Sequence, residues 1–62
     1  MTGRLKWFNS DRGYGFIAGD NGNDYFVHAI DLEPGIYNDG DRLVFEVAKT
    51  KKGNAAVKVK LL

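Results

Sequence analysis

Apolar and polar positions alternate with a period of two in five stretches of this chain, and nowhere does an apolar period of 3.6 residues persist. Residues 3–9 predict a first strand, with Leu5 and Trp7 on one face and Arg4, Lys6 and Phe8 on the other. Residues 14–18 predict a second, setting Tyr14 and Phe16 opposite Gly15 and Ile17. In the third, 24–28, Phe26 and His28 oppose Tyr25 and Val27. Over 41–49 Leu43, Phe45 and Val47 are expected inward, with Arg42, Val44 and Glu46 outward. Over 54–61 Ala55, Val57, Val59 and Leu61 share one face, and Ala56, Lys58 and Lys60 the other.

The breaks between strands carry turn chemistry. Ser10-Asp11-Arg12-Gly13 and Gly19-Asp20-Asn21-Gly22-Asn23 are short, polar and supplied with glycine, so the first three strands form a meander. Thr50-Lys51-Lys52-Gly53 turns the chain between the last two. Residues 29–40 are the longest irregular segment, marked by Pro34-Gly35 and Asn38-Asp39-Gly40; Ile30 and Leu32 are expected to tuck under the sheet through a short helical turn. Five short strands cannot build a large sandwich. Closure into a small barrel protects most strand edges and needs the least core. The expectation is an all-β, five-stranded antiparallel barrel in a single domain, 1–62, without internal repeats.

Size and composition narrow the function. A chain of 62 residues buries only roughly 60% of its unfolded surface, so exposed rings are costly unless they serve binding. There is no cysteine, which removes disulfides and thiolate metal sites and permits a reducing compartment. No apolar run reaches membrane-spanning length and no leader pattern is seen, so the expected location is cytoplasmic. Net charge is only +1, too small for a protein held to nucleic acid by charge alone. The cations are nevertheless grouped. Arg4, Lys6 and Arg12 flank the aromatic stretch, while Lys49, Lys51, Lys52, Lys58 and Lys60 crowd the last third, where Lys also serves to discourage edge pairing.

Residues 6–17 carry the candidate chemistry. They hold Trp7, Phe8, Tyr14 and Phe16 with Lys6, Arg12, Gly13 and Gly15, and neither Leu nor Val. If the third strand lies beside the second, Tyr14, Phe16, Phe26 and His28 form one platform. Rings, cations and the clearance left by glycine suit nucleobases and phosphates, since every base has a π-face and every linkage a charge. The plainer reading is an aromatic cluster that fills the interior. Asn9 is equally suited to a polar contact with a ligand and to capping the turn at Ser10-Asp11.

Catalysis is not expected. His28 has no oriented acid and nucleophile around it in the pattern, and the single serine, Ser10, falls in a turn. Asp20-Asn21-Gly22-Asn23-Asp24 lacks the twelve-residue frame and distal glutamate of a calcium loop and reads as a turn. No metal or cofactor is implied.

Lys6-Trp7-Phe8-Asn9, Gly13-Tyr14-Gly15-Phe16-Ile17 and Phe26-Val27-His28, in this order and spacing, resemble the cold-shock domain; the second and third are similar to that family's two ribonucleoprotein-type motifs. Residues 40–47 and Asn54-Ala55-Ala56-Val57 match in character, so the resemblance covers essentially the whole chain. It implies an oligonucleotide/oligosaccharide-binding (OB) barrel that binds single-stranded RNA and DNA and acts as an RNA chaperone without consuming a nucleotide. By position it implies stacking by Trp7, Tyr14, Phe16, Phe26 and His28, with Phe8 at the margin, backbone contacts from Lys6 and Arg12, and a polar contact from Asn9.

The chain also departs from the family. Ala29 stands where another aromatic or polar residue is usual, residues 29–40 are a few short, and Tyr37 is aligned only loosely with a loop aromatic. Tyr25 replaces a small aliphatic and must fit the core edge or emerge from it. Strict alternation puts Trp7 opposite Lys6, whereas the family uses both at its site; a bulge or strong twist would reconcile them. A monomer from a bacterium or phage is the expectation. The alternative function is a small barrel whose aromatic face takes a protein or peptide.

Overall fold

The computed structural model describes residues 1–51 and 53–62; Lys52, in the turn that joins the last two strands, lies outside the described residues. The strands are β1 (Thr2–Asn9), β2 (Tyr14–Gly19), β3 (Asp24–His28), β4 (Arg42–Thr50) and β5 (Gly53–Leu61), each within two residues of its predicted bounds. They close into a barrel in the order β1-β2-β3-β5-β4. Four pairings are antiparallel as expected, and the closing one, β3 with β5, is parallel. No helix among the described residues is long and apolar enough to cross a membrane.

Leu5, Ile17, Tyr25, Val27, Leu43, Phe45, Ala56 and Val59 fill the interior. Tyr25 fits it without strain on its hydroxyl. Its ring packs on Phe45 with centroids 5.4 Å apart, and the phenol oxygen accepts a hydrogen bond from Asn21 Nδ2 at 2.7 Å. The pairing of a large ring with a surface partner for its O–H is what makes a buried tyrosine tolerable.

Two bulges set the departures from strict alternation. In β1, Leu5 pairs with Ile17 and Trp7 with Phe16, so Lys6 is an extra residue. Phe8 therefore turns inward, toward the core edge, and Trp7 turns outward. In β5, Glu46 pairs with Val57 and Val44 with Lys60, leaving Lys58 and Val59 opposite the single residue Phe45. Lys58 absorbs the extra residue at φ +53°, a conformation uncommon for a residue with a Cβ. Consequently Ala56, not Ala55 and Val57, shares the inner face with Val59. Ala55 pairs with Phe26 on the outer face and is nonetheless buried there.

Three apolar residues expected inside are more exposed. Val47 is 42% exposed because β4 beyond Val44 runs past its pairing with β1 into the β4–β5 hairpin. Leu61 sits opposite buried Leu43 but at the last residue of β5, and it is about half exposed. The helical turn is a single 3-10 turn, Ala29–Asp31, whose exit residue Leu32 packs against the core while Ile30 is 80% exposed. With three residues per turn, only one position in three can face inward.

Candidate nucleic-acid interface

The register stacks the outer-facing residues in rows across the strands. Trp7, Phe16, Phe26 and Ala55 make one row; Asn9, Tyr14 and His28 make the row that ends the strands. Arg4, Ala18 and Asp24 lie on the other side of the central row. The rings touch one another. Trp7 is 5.7 Å from Tyr14 and 5.5 Å from Phe16, measured between centroids, and Phe26 is 5.7 Å from both Tyr14 and Phe16. Tyr14 and Phe26 are stacked at 23°, while the other three pairs are tilted or edge-on. Mutual edge-on packing fixes each ring and leaves a face for an incoming aromatic group. Trp7 is 40% exposed, and Tyr14, Phe16 and Phe26 are half-buried.

Glycine makes the arrangement possible at one point in particular. A Cβ on Gly15 would lie 2.2 Å from the Trp7 carbonyl oxygen and 2.9 Å from Phe8 Cδ1. β1 and β2 approach this closely only because position 15 carries no side chain.

The remaining candidates fall into two groups. Lys6 is exposed on this side of the barrel, and its Nζ forms an ion pair with Asp24 Oδ2 at 3.0 Å. His28 is exposed at the end of the platform, with Nδ1 accepting a long 3.4 Å contact from the Ile30 N–H at the start of the 3-10 turn. Asn9 caps the β1–β2 turn: its Oδ1 accepts from the Arg12 N–H at 3.0 Å and its carbonyl from the Gly13 N–H at 2.8 Å. Arg12 is exposed, and its guanidinium has no ion pair among the described residues.

Phe8 and Tyr37 do not join the platform. Both are partly buried against the core, Phe8 at its pairing with Gly15 on the side of β1 that turns inward. The Tyr37 hydroxyl donates to the Glu33 carbonyl at 2.5 Å, and burial, then the nearby Glu33 carboxylate, raise its pKa above the usual value of 10.0.

Residue-by-residue reading also missed neighbours. Thr50, Lys51, Ala55 and Val57 line a groove of about 360 Å³ with Phe26 and His28, continuing the aromatic face across β5. The missing signal is the parallel β3–β5 pairing, which joins segments about 30 residues apart (Phe26 with Ala55) and has no local trace in sequence.

The model of the 'cold-shock' DNA-binding domain family matches residues 1–62. A cold shock-like protein of Thermotoga maritima is 45% identical over 65 residues, spanning 100% of this chain and 98% of that protein. The cold shock protein CspV of Vibrio cholerae is 43% identical, over 95% of this chain and 90% of its own. Cold shock protein 1 of Lactiplantibacillus plantarum is 38% identical, over 94% and 92%.

Proposed function

The chain belongs to the cold-shock domain family of nucleic-acid-binding, non-enzymatic proteins, and on that premise we propose that it stacks the bases of single-stranded RNA or DNA on Trp7, Tyr14, Phe16, Phe26 and His28. One observation carries this reading. Four mutually packed rings stand on the outside of a barrel whose interior is already filled by a separate set of residues. Rings that the core does not need are available to a ligand.

Magnitudes favour stacking over charge. Each base stacked on an aromatic ring contributes about 1–3 kcal/mol, so three or four platforms reach roughly micromolar affinity after ordering costs. Lys6 already has a carboxylate partner, and Arg12 is the cation nearest the rings in sequence that has no ion pair among the described residues. Some two to four phosphates would be neutralised, each contributing about −0.7 to the slope of log affinity against log salt. Base identity then matters little along the platform, which suits a chaperone that holds many RNA sequences open without a nucleotide cofactor. The protein works as a cytoplasmic monomer in this reading.

Trp7 is the single tryptophan and reports on the platform directly. Titration with oligothymidine at two salt concentrations is expected to quench its fluorescence saturably, with a shallow salt dependence. Quenching that vanishes at moderate salt would contradict the stacking account. Absence of both quenching and binding would point to a protein or peptide ligand instead.

A further inference from the structure

The turn between β2 and β3 holds the chain's single Asn-Gly step, Asn21-Gly22. Asn9, Asn23, Asn38 and Asn54 are each followed by a residue with a side chain. Without a Cβ beside it the Gly22 nitrogen is unshielded, and a bond from it to Asn21 Cγ would close a small ring. Gly22 sits at φ +89° with nothing within 4 Å of where a Cβ would stand, so the step is open to solvent.

The asparagine amide is held at both ends. Its Oδ1 accepts from the Asn23 N–H at 3.1 Å, which fixes the orientation of the amide, and its Nδ2 donates to the Tyr25 phenol oxygen at 2.7 Å. The Gly22 N–H is held as well, donating to the Gly19 carbonyl at 3.0 Å. The closed turn thus keeps both reacting groups occupied. An exposed turn is among the first parts of a fold to open. Tyr25, whose ring is only 3% exposed, reaches this turn from the core through its hydroxyl.

We propose that Asn21 is a site of spontaneous deamidation, with water as the co-reactant, and that its hydrogen bond to Tyr25 is the latch that slows it. When the turn opens, the Gly22 nitrogen attacks Asn21 Cγ. The N–Cγ bond forms, the Cγ–Nδ2 bond breaks, and Nδ2 leaves as ammonia, its third hydrogen coming from the Gly22 N–H. One water then opens the succinimide at either of its carbonyl carbons, yielding aspartate or isoaspartate. Either product gains one negative charge, which takes the net charge of +1 to zero.

The two products differ at Tyr25. An aspartate carboxylate can accept the phenol O–H, so the contact survives with its direction reversed. In isoaspartate the backbone runs through Cβ and Cγ, which adds an atom to the turn and carries the carboxylate on Cα instead. Tyr25 then loses this partner, and the bond from the Gly19 N–H to the Asn23 carbonyl, 2.8 Å in the closed turn, is displaced. β2 and β3 carry Tyr14, Phe16 and Phe26, so this ageing begins at the strand pair that holds the platform.

Folded parent, Tyr25→Phe and Tyr37→Phe proteins are incubated at mildly alkaline pH, and each asparagine is followed by peptide mass spectrometry with fragmentation that distinguishes isoaspartate. Tyr25→Phe keeps the ring in the core and removes the latch; Tyr37→Phe removes a hydroxyl elsewhere and controls for a general loss of stability. Conversion is expected at Asn21 ahead of the other four asparagines. It should run about two- to tenfold faster in Tyr25→Phe than in the parent, the gain in open turn from losing one hydrogen bond. The purified isoaspartate form of the parent should melt at least about 4 °C below the unmodified protein, the shift expected when a buried hydroxyl loses its partner. An Asn21 that outlasts the other asparagines, or a Tyr25→Phe rate no higher than that of either comparison protein, overturns the latched site. An isoaspartate form that melts with the parent overturns the coupling to Tyr25.

Discussion

Trp7 lies across from Phe16 because Lys6 is an extra residue in β1: Leu5 pairs with Ile17, and two steps along β1 correspond to one step along β2. A single inserted residue thus puts Lys6 and Trp7 on the outer side together and sends Phe8 inward. The extra local twist of such a bulge also serves closure of a barrel this small.

Gly15→Ala should damage this arrangement at its tightest point. The new Cβ would meet the Trp7 carbonyl oxygen at 2.2 Å and the Phe8 Cα at 2.7 Å, and neither backbone atom can step aside without moving β1. A loss of about 1–3 kcal/mol or more is expected. In a domain of this size that lowers the melting temperature by roughly 4–8 °C per kcal/mol. Gly22→Ala, at φ +89° with open space around it, should cost only the backbone strain of about 1 kcal/mol. Thermal unfolding of the two variants checks the difference.

Asp24→Asn should strengthen binding. Asp24 holds Lys6 at 3.0 Å between two half-exposed side chains, so the pair contributes at most about 1 kcal/mol to the fold. Released, Lys6 is free for a phosphate. Affinity for oligothymidine at low salt should rise, and the salt slope should steepen by up to about 0.7. Unchanged affinity and slope would mean that Lys6 faces no phosphate in the complex.

The five strands, their turns and most of the core were legible because alternation is a local property. Ile17, Val27, Leu43 and Phe45 are buried where the period of two puts them. Alternation fails where one strand of a pair gains a residue, and the residue type alone does not announce this. Lys6 betrayed its bulge only through the conflict with Trp7. Lys58 gave no sign, since an exposed lysine at φ +53° looks in sequence like any outward lysine. From that one residue follow the reversed faces of Ala55, Ala56 and Val57. The candidate site was legible to the extent that its rings lie on consecutive strands; the part built by β5 was not, because pairing with β3 is set by closure of the barrel. Tyr37 is drawn to the core edge by burial of its ring and by the Glu33 carbonyl, a pairing within one loop that no periodicity encodes.

Tyr37 should make stability fall at alkaline pH. Its pKa in the folded protein is raised above 10.0, first by burial and then by Glu33, so the folded state prefers the neutral phenol. That contribution is complete below pH 10 and is lost as pH rises through the higher folded-state value. Tyr37→Phe removes both the titration and the hydrogen bond to Glu33. It should cost about 0.5–1.5 kcal/mol near neutrality and show a weaker decline than the parent between pH 8 and 11. Urea unfolding across that range checks both features.

The central claim is that the outer rings serve a ligand and the inner residues serve the fold. The most direct measurement takes Phe16→Ala, Phe26→Ala and Ile17→Ala side by side, each titrated with oligothymidine and each unfolded in urea. The two phenylalanine variants should lose about 1–3 kcal/mol of binding while remaining folded. Ile17→Ala, which empties a fully buried position, should lose about 2–5 kcal/mol of stability, more than either phenylalanine variant. Phenylalanine variants that unfold, or that bind as tightly as the parent, would contradict the account.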